Sequence, residues 1–230
     1  MESTLLLRLQ GPLQAWGMGS RFSVRETARE PTLSGVLGLL CAALGRTRSA
    51  PLDDLLSLRM GVRVDQEGRL MADFHTAREV LNAEGRVLKN AVLSTRYYLS
   101  GAIFLVGLAG EDLPLLERLQ AALRAPRWLL CLGRRSFPPA APVWLPDGLR
   151  RGEALESALQ GYPWLRRAPR AAWETQKLPG RLRFVYTHPQ GPLSRNDRPL
   201  SYQARLFSRR NLAVSFAAPP ERFFNDENGG

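Results

Sequence analysis

Residues 5–45 have the sequence LLLRLQGPLQAWGMGSRFSVRETAREPTLSGVLGLLCAALG, and this stretch decides the fold. The alternating leucines of residues 5–9 predict a first strand, and apolar residues recurring at helical spacing over 33–44 predict a helix that ends at Gly45. The Gly-rich, polar segment 11–32 between them is long for a connection in a compact domain, and such loops are usually functional or disordered. The stretch therefore predicts a strand, a candidate functional loop and a helix.

The rest of the first 140 residues continues this succession of strands and helices. Strands are predicted at 58–65, 69–76, 97–108 and 128–132, and helices at 52–56 and 113–123. We expect the first of these strands to be half-buried, with Arg59 and Arg63 on its other face, and the strand at 97–108 to be central. Residues 77–96 form an irregular arm. With the arm as an insertion, the order is the βαββαβ of an α+β, ferredoxin-like domain, an arrangement common among RNA-binding domains.

The composition changes after Pro138 and Pro139. We interpret residues 1–140 as the ferredoxin-like domain and residues 141–224 as a small C-terminal, β-containing unit packed on it. This unit is predicted to hold a helix at 153–160 and strands at 182–186 and 212–216. Residues 225–230 are expected to be a disordered tail.

Charge is the strongest compositional signal. The formal net charge is +11, and all but Lys89 and Lys177 of the 32 basic residues are arginine. Arginine grips phosphate with a planar fork and stacks on bases, so the composition indicates a polyanionic partner. An Arg-rich genome or a thermophilic source would explain arginine over lysine, but not the excess of basic over acidic residues. An anionic membrane is a weaker alternative, because no basic amphipathic helix stands out.

The first loop holds one group of candidate RNA-binding residues. Small residues around Gly17 allow close approach to a phosphate, Arg21 supplies charge, and Trp16 or Phe22 is suited to stack on a base. A core tryptophan in an ordinary turn is an equally good interpretation. Further along, the helix start near Thr32 offers free N–H groups to an anion, with plain helix capping as the alternative.

Two further segments carry basic residues. The arm interleaves Arg78, Arg86, Lys89 and Arg96 with six aliphatic residues, which suits contact with RNA and a protein partner, or packing on the parent domain. Residues 133–136, Gly-Arg-Arg-Ser, follow a predicted strand, where two adjacent arginines cannot both point inward. The candidate RNA-binding residues are Gln14, Trp16, Gly17, Ser20, Arg21, Arg25, Thr27, Thr32, Ser34, Gly35, His75, Arg78, Lys89, Arg96, Tyr97, Arg134, Arg135 and Ser136.

The sequence gives catalysis little support. His75 lies at the end of a predicted strand and is suited to general base chemistry with a nearby tyrosine and lysine, but a structural or RNA-contacting role is the better interpretation. We find no metal-ligand spacing and no nucleophilic triad, so we expect no metal, cofactor or catalytic residue. Cys41 and Cys131 lie in apolar runs and are expected to be buried thiols. No run is long enough to span a bilayer, and we expect a cytoplasmic protein with no membrane partner.

Several ordered motifs resemble a known family. They are LQGPLQAWG at 9–17, SRF at 20–22, RET at 25–27, PTLSGVLGLL at 31–40, DFHT at 73–76, RYYL at 96–99 and LGRRS at 132–136. Together they are similar to the Cas-five family of the RAMP superfamily, in the CasD-type form found in type I-E CRISPR Cascade complexes. The resemblance spans about residues 4–140 and continues weakly near 198–214.

The resemblance implies a fold, partners and a role. It implies a ferredoxin-like domain with a thumb hairpin formed by the arm, and an RNA-binding subunit that caps the 5′ handle of the CRISPR RNA in antiviral defence. The implied protein partners are the first backbone subunit and the large subunit, with target DNA reached only through the complex. The alternative is a metal-independent endoribonuclease, since relatives in another subtype cut RNA with Tyr, Lys and His. Here Asn90 follows Lys89, so that Lys-His pair is missing. A generic basic assembly protein is a distant third.

Overall fold

The structure is a computed structural model that describes residues 1–19, 23–88 and 90–224. The predicted disordered tail at 225–230 lies outside the described residues. The strands are β1 Ser3–Gln10, β2 Leu13–Gln14, β3 Val24–Arg25, β4 Arg59–Gln66, β5 Arg69–Ala77, β6 Val92–Ser100, β7 Ile103–Gly110, β8 Trp144–Arg150, β9 Leu182–Thr187, β10 Leu193–Ser201 and β11 Leu206–Ala217. The helices are α1 Leu33–Leu44, α2 Asp53–Leu56, α3 Leu113–Arg124, α4 Leu155–Gly161 and α5 Ala172–Thr175.

Seven strands form the main sheet, in the order β10-β11-β9-β4-β7-β1-β8. Every pairing in it is antiparallel. α1 follows β1 and α3 follows β7, and both helices pack on the same face of the sheet. The protein is therefore a mixed α and β structure dominated by antiparallel sheet, which agrees with the fold class at that level.

The two faces of the main sheet carry separate cores. Leu5, Leu7 and Leu9 of β1 are buried beneath α1 and α3, whereas Leu6 points to the other face. That second core contains α4, which lies over Gly107 of β7 and its cross-strand partner on β4. A Cβ at Gly107 would come within 2.6 Å of Leu155, so the missing side chain is what allows the helix to approach.

The strand β4 corrects one expectation. It is buried on both faces and not half-buried, since neighbours flank it on both edges and helices or loops cover both sides. Arg63 is fully buried and pairs with Asp65, with 2.6 Å between Nε and Oδ1. The guanidinium also donates to the carbonyl oxygens of Leu159 and Tyr162, both at 2.6 Å. The alternation of apolar and polar residues predicted Arg63 on an exposed face of the strand. Such alternation does not reveal that a second layer of the protein covers that face.

A second, smaller sheet is built around β6. β6 pairs with β5 along one edge and with β2 and β3 along the other. The predicted central strand at 97–108 is therefore two strands in different sheets, divided at Gly101, whose φ is +68°. The predicted arm at 77–96 shortens to a loop at 78–91, because the residues from Val92 onward continue the β5–β6 hairpin.

Other elements also differ from the predictions. Residues 128–132 form no strand, and residues 128–130 instead line an open apolar cleft with residues 138–144. The strand that pairs with β1 on the side away from β7 is β8. Neither β8 nor β10 was predicted from the sequence. The main sheet crosses the proposed boundary near residue 140, since β1 and β9 both belong to it. Cys131 is only half-buried, while Cys41 is buried as expected.

Candidate nucleic-acid interface

One edge of β6 gathers residues that are far apart in the sequence. The short strand β3 runs parallel to it and aligns Arg25 with Arg96. The Thr95 N–H donates to the carbonyl oxygen of Ser23 at 2.7 Å, which extends this pairing. Direct partners in a sheet point to the same face, so the two arginine side chains lie side by side.

Arg134 fills the gap along this edge between β2 and β3. One of its Nη atoms donates to the carbonyl oxygen of Tyr97 at 3.0 Å and lies 3.4 Å from that of Arg25. Its guanidinium also stacks over the Phe137 ring, 5.6 Å from the centroid. Arg134 is thereby held in place by the backbone of β6 and β3.

Arg25, Arg96 and Arg134 form what we call the arginine cluster. Burial lowers the pKa of Arg134, and the positive charges of Arg96 and Arg25 lower it further. The Arg134 guanidinium nevertheless stays charged, so three positive charges are held close together on a partly buried surface. The Nε of Arg96 is buried and has no hydrogen-bond partner within the described part of the chain. An anion placed here would relieve the repulsion.

The β5–β6 hairpin has a polar face that continues from the arginine cluster. Asp73 lies opposite Arg96 across the hairpin. His75 stands two residues further along β5, and its Nε2 contacts Asp73 Oδ2. Both side chains are about half exposed. This face therefore combines three arginines with one carboxylate and an accessible imidazole.

The opposite face of the hairpin is apolar and exposed. Alternation places Phe74 beside Leu93 and Val24 on this face, with Leu70 nearer its base. Phe74 is 64% exposed, and the other three are 44–49% exposed. Five of the arm's six aliphatic residues, Leu81, Val87, Leu88, Val92 and Leu93, are themselves 39–61% exposed, which does not fit packing on the parent domain. Such a patch on a soluble protein typically marks an interaction site.

The turn that carries Arg134 is packed tightly against the first loop. Gly133 has a φ of +92°, and a Cβ there would come within 1.6 Å of the Ala15 carbonyl oxygen. The Ala15 N–H donates to the carbonyl oxygen of Leu132 at 3.0 Å. Only glycine satisfies both the backbone conformation and this contact. The two loops consequently form one support beneath the arginine cluster.

The first loop places several predicted residues inside the protein. Trp16 is fully buried, and its indole N–H donates to Gln14 Oε1 at 3.2 Å. The Gln14 amide donates to the carbonyl oxygen of Ala102 at 2.9 Å, and Thr27 Oγ1 accepts from the Trp16 backbone N–H at 2.8 Å. Trp16 is therefore a core residue and not a stacking platform, because a fully buried ring has no surface on which a base could stack.

The N-terminus of α1 binds a carboxylate from another part of the same chain. Thr32 caps the helix by accepting from the Gly35 N–H at 3.3 Å. The Leu33 N–H donates to Asp197 Oδ2 at 3.0 Å, and Arg210 pairs with the same carboxylate at 2.6 Å. The predicted phosphate position at the helix start is thus occupied by an internal carboxylate. Ser34 is half-buried there and its carbonyl oxygen accepts from Tyr202 Oη at 2.5 Å.

The remaining predicted residues are scattered around this site. Gly17, Arg78, Arg135 and Ser136 are exposed, with Arg78 beyond the end of β5 and the last two beside Arg134. Tyr97 is half-buried on β6. The predicted residues Ser20, Arg21 and Lys89 lie outside the described residues, as does the alternative stacking candidate Phe22.

Two carboxylates at this site were not among the predicted residues. Asp73 is two residues from His75 in a predicted strand, and that spacing is a signal that both share a face. Asp197 gave no usable signal, because it lies 164 residues from its helix partner Leu33.

Residues 1–19, 23–88 and 90–224 contain no group of three or more His, Cys, Asp or Glu side chains arranged to hold a metal ion. Over the same ranges no helix is long and apolar enough to cross a membrane.

Comparison with known proteins identifies the family. Residues 4–214 match the family described as CRISPR-associated protein (Cas_Cas5). The chain is 37% identical to the CRISPR system Cascade subunit CasD of Escherichia coli (strain K12), over 70% of this chain and 78% of that protein. It superposes on a crystal structure of a Cas protein with a TM-score of 0.75 and 42% identity, covering 96% of this chain and 97% of the other. It also superposes on a chain of a CRISPR RNA-guided surveillance complex, with a TM-score of 0.76, 32% identity and coverage of 95% and 91%. The resemblance predicted from the motifs is thereby confirmed, and the chain belongs to the Cas5 family of CRISPR-associated proteins.

Proposed function

We propose that this protein is a non-catalytic, RNA-binding subunit of a cytoplasmic type I-E Cascade complex, and that it caps the 5′ handle of the CRISPR RNA. The observation that carries the proposal is the arginine cluster, in which Arg25, Arg96 and Arg134 are held together against their mutual repulsion. Three fixed guanidinium groups with one nearby carboxylate suit a bent phosphate backbone better than a neutral ligand. The similarity to a Cascade subunit supports a CRISPR RNA as the source of that backbone.

The fold supports the same assignment. In the main sheet, the contiguous strands β8-β1-β7-β4, with helices after β1 and β7, have the order expected of a ferredoxin-like domain. We propose that the β5–β6 hairpin is the thumb predicted from the sequence. Its polar face would follow the RNA, and its apolar face, with Phe74 most exposed, would contact the first backbone subunit. Contact with the large subunit and access to target DNA only through the complex belong to the same proposal.

The test is binding of a labelled RNA that contains the 5′ handle. Arg96→Ala and Arg134→Ala should each weaken binding by about 10- to 100-fold, the effect of losing a charged hydrogen bond of about 1.5–3 kcal/mol. Arg48→Ala is the matched control, since Arg48 is exposed and makes no ion pair with a described carboxylate. Equal affinities for all four proteins would refute the assignment of the arginine cluster.

A second candidate function is metal-independent RNA cleavage. The contact between His75 and Asp73 beside Arg96 favours it, because a carboxylate can orient an imidazole for general base chemistry. We expect no cleavage when labelled repeat RNA is incubated with the isolated protein, with or without a chelator. Site-specific products that disappear in His75→Ala would establish the enzyme and overturn the non-catalytic assignment.

A further inference from the structure

A second basic surface lies on the opposite side of the main sheet from the arginine cluster. Residues 166–181, which we call the Trp173 segment, connect α4 to β9 and follow the core that α4 covers. The arginine cluster instead adjoins the core beneath α1 and α3, through Phe137 and Leu99. The main sheet therefore separates the two surfaces, and one cannot be a continuation of the other.

The Trp173 segment concentrates cations that have no carboxylate partner among the described residues. Many other arginines of the chain, such as Arg59, Arg150 and Arg183, are engaged in ion pairs. The one acidic side chain of the segment, Glu174, accepts from the Arg170 backbone N–H at 2.8 Å and so is used locally. The cations are Arg166, Arg167, Arg170, Lys177 and Arg181.

A single aromatic ring projects from the middle of these cations. Trp173 is 59% exposed, whereas Trp16 and Trp164 are buried. Lys177 Nζ lies 4.8 Å from the centre of the Trp173 ring, where it covers one face and fixes the ring's orientation. More than half of the Trp173 side chain is exposed, so the ring offers surface to a planar partner with positive charge beside it.

The ends of the segment are anchored, so the ring is displayed from a fixed base. Leu165 is buried, and its N–H donates to Asp65 Oδ2 at 2.8 Å. Leu178 packs against the core beneath α4. These leucines turn inward, and the other exposed apolar residues of the segment, such as Ala168, Ala172 and Pro179, are small beside the Trp173 ring. One large ring among small apolar residues is a poor core for a protein–protein interface, whereas an aromatic ring among cations is the usual platform for single-stranded nucleic acid.

We propose that the Trp173 segment is a second, independent binding site for single-stranded nucleic acid, in which Trp173 stacks on a base and the surrounding cations contact the flanking phosphates. The chemistry is shared by single-stranded DNA and by an unpaired stretch of RNA. The inference does not depend on the arginine cluster binding the 5′ handle, since it rests on different residues on another side of the sheet.

The test uses the full chain carrying Arg96→Ala and Arg134→Ala, which removes the first site from the measurement. Binding of fluorescent DNA and RNA oligonucleotides of the same sequence, about eight nucleotides long, is followed by anisotropy. Adding Trp173→Ala should weaken binding about ten-fold, as expected for the loss of one stacked base. Trp128→Ala is the matched control, because Trp128 is also an exposed tryptophan, at 46%.

Two further readouts separate this proposal from a general charge effect. Replacing Arg166 and Arg167 with alanine should reduce the log–log salt slope by about 1.4, since each lost phosphate contact contributes about 0.7 for single strands. Which of the DNA and RNA oligonucleotides loses more affinity in Trp173→Ala identifies the physiological source. Unchanged affinity in Trp173→Ala, or an equal loss in Trp128→Ala, would overturn the proposal, whatever the handle RNA does in the wild-type protein.

Discussion

In the main sheet, two arginine side chains are buried against aspartates, whereas around β6 three arginines are gathered beside one carboxylate. Arg63 and Arg210 are at most 5% exposed, and each makes a bidentate pair with an aspartate. Arg96 and Arg134 are half-buried and repel each other. The apolar residues differ in the same direction, since the central strands of the main sheet fill two cores, whereas Leu70, Phe74 and Leu93 of the β5–β6 hairpin are exposed. The same residue types therefore stabilise the fold in one region and are left available to partners in the other.

The largest effect should come from breaking a buried pair in the main sheet. Arg63→Ala leaves Asp65 charged and unpaired and removes the bonds to the carbonyl oxygens at the end of α4. We expect a loss of about 3–5 kcal/mol in the free energy of unfolding, measured by urea denaturation. Arg96→Ala is the comparison and should change it by no more than about 0.5 kcal/mol. Similar stabilities for the two variants would abolish the distinction between the regions.

A smaller loss is expected at the start of α1. Asp197→Asn keeps the shape of the side chain but removes the charge that Arg210 and the Leu33 N–H share. The free energy of unfolding should fall by about 2–3 kcal/mol, the cost of weakening buried charged hydrogen bonds. Thermal unfolding followed by circular dichroism measures it, with Asp53→Asn, an exposed aspartate in α2, as the control. An unchanged midpoint would mean that the carboxylate charge is not needed at this helix end.

A substitution at Gly133, where the first loop meets the turn that carries Arg134, should lower both the stability of the protein and its affinity for RNA. In Gly133→Ala, alanine would have to adopt the left-handed backbone conformation of Gly133. Its Cβ would also collide with the Ala15 carbonyl oxygen, so either Ala15 or the turn that carries Arg134 must move. We expect a loss of about 1–2 kcal/mol in stability, together with weaker binding of handle RNA. Gly17→Ala is the control for the stability measurement, because no atom lies within 4 Å of the added Cβ. Handle binding that survives in Gly133→Ala would show that the arginine cluster does not depend on this support.

The smallest effect on stability is expected when the tip of the β5–β6 hairpin, residues 79–90, is removed. Its hydrogen bonds are local, such as the one from the Leu88 N–H to the Val80 carbonyl oxygen at 2.8 Å. Replacing residues 79–90 with a short Gly-Ser turn should change the midpoint of thermal unfolding by about 1–2 °C at most, as for a surface change. Association with the backbone subunit, measured by co-purification, should fall. Aggregation of the shortened protein would mean that the tip supports the core, and normal assembly would remove the thumb assignment.

How much of this structure the sequence predicts depends on how far apart in the sequence the interacting residues lie. The first strand and α1, with its caps at Thr32 and Gly45, follow from periodicity and local capping, and both are confirmed. The apolar run at 97–108 shows no periodicity that marks a change of sheet, so the break at Gly101 was not seen. Their positions before the predicted helix, in the arm and after a predicted strand brought Arg25, Arg96 and Arg134 into the list of candidates, but only the pairing of β3 with β6 and the contacts of Arg134 show that they meet. The burial of Trp16 was equally open, since a Gly-rich loop suits a core ring and a stacking ring alike.

The bond between Leu33 and Asp197 also has a consequence for the order in which the chain is made. At ribosomal rates of about 5–20 residues per second, the 164 residues between them take roughly 8–33 s to synthesise. During that interval the first N–H groups of α1 lack the carboxylate that will satisfy them, and β4 lacks the partner β9 along one edge. The N-terminal half of the nascent chain therefore stays incomplete until the strands made last dock onto the helix made first.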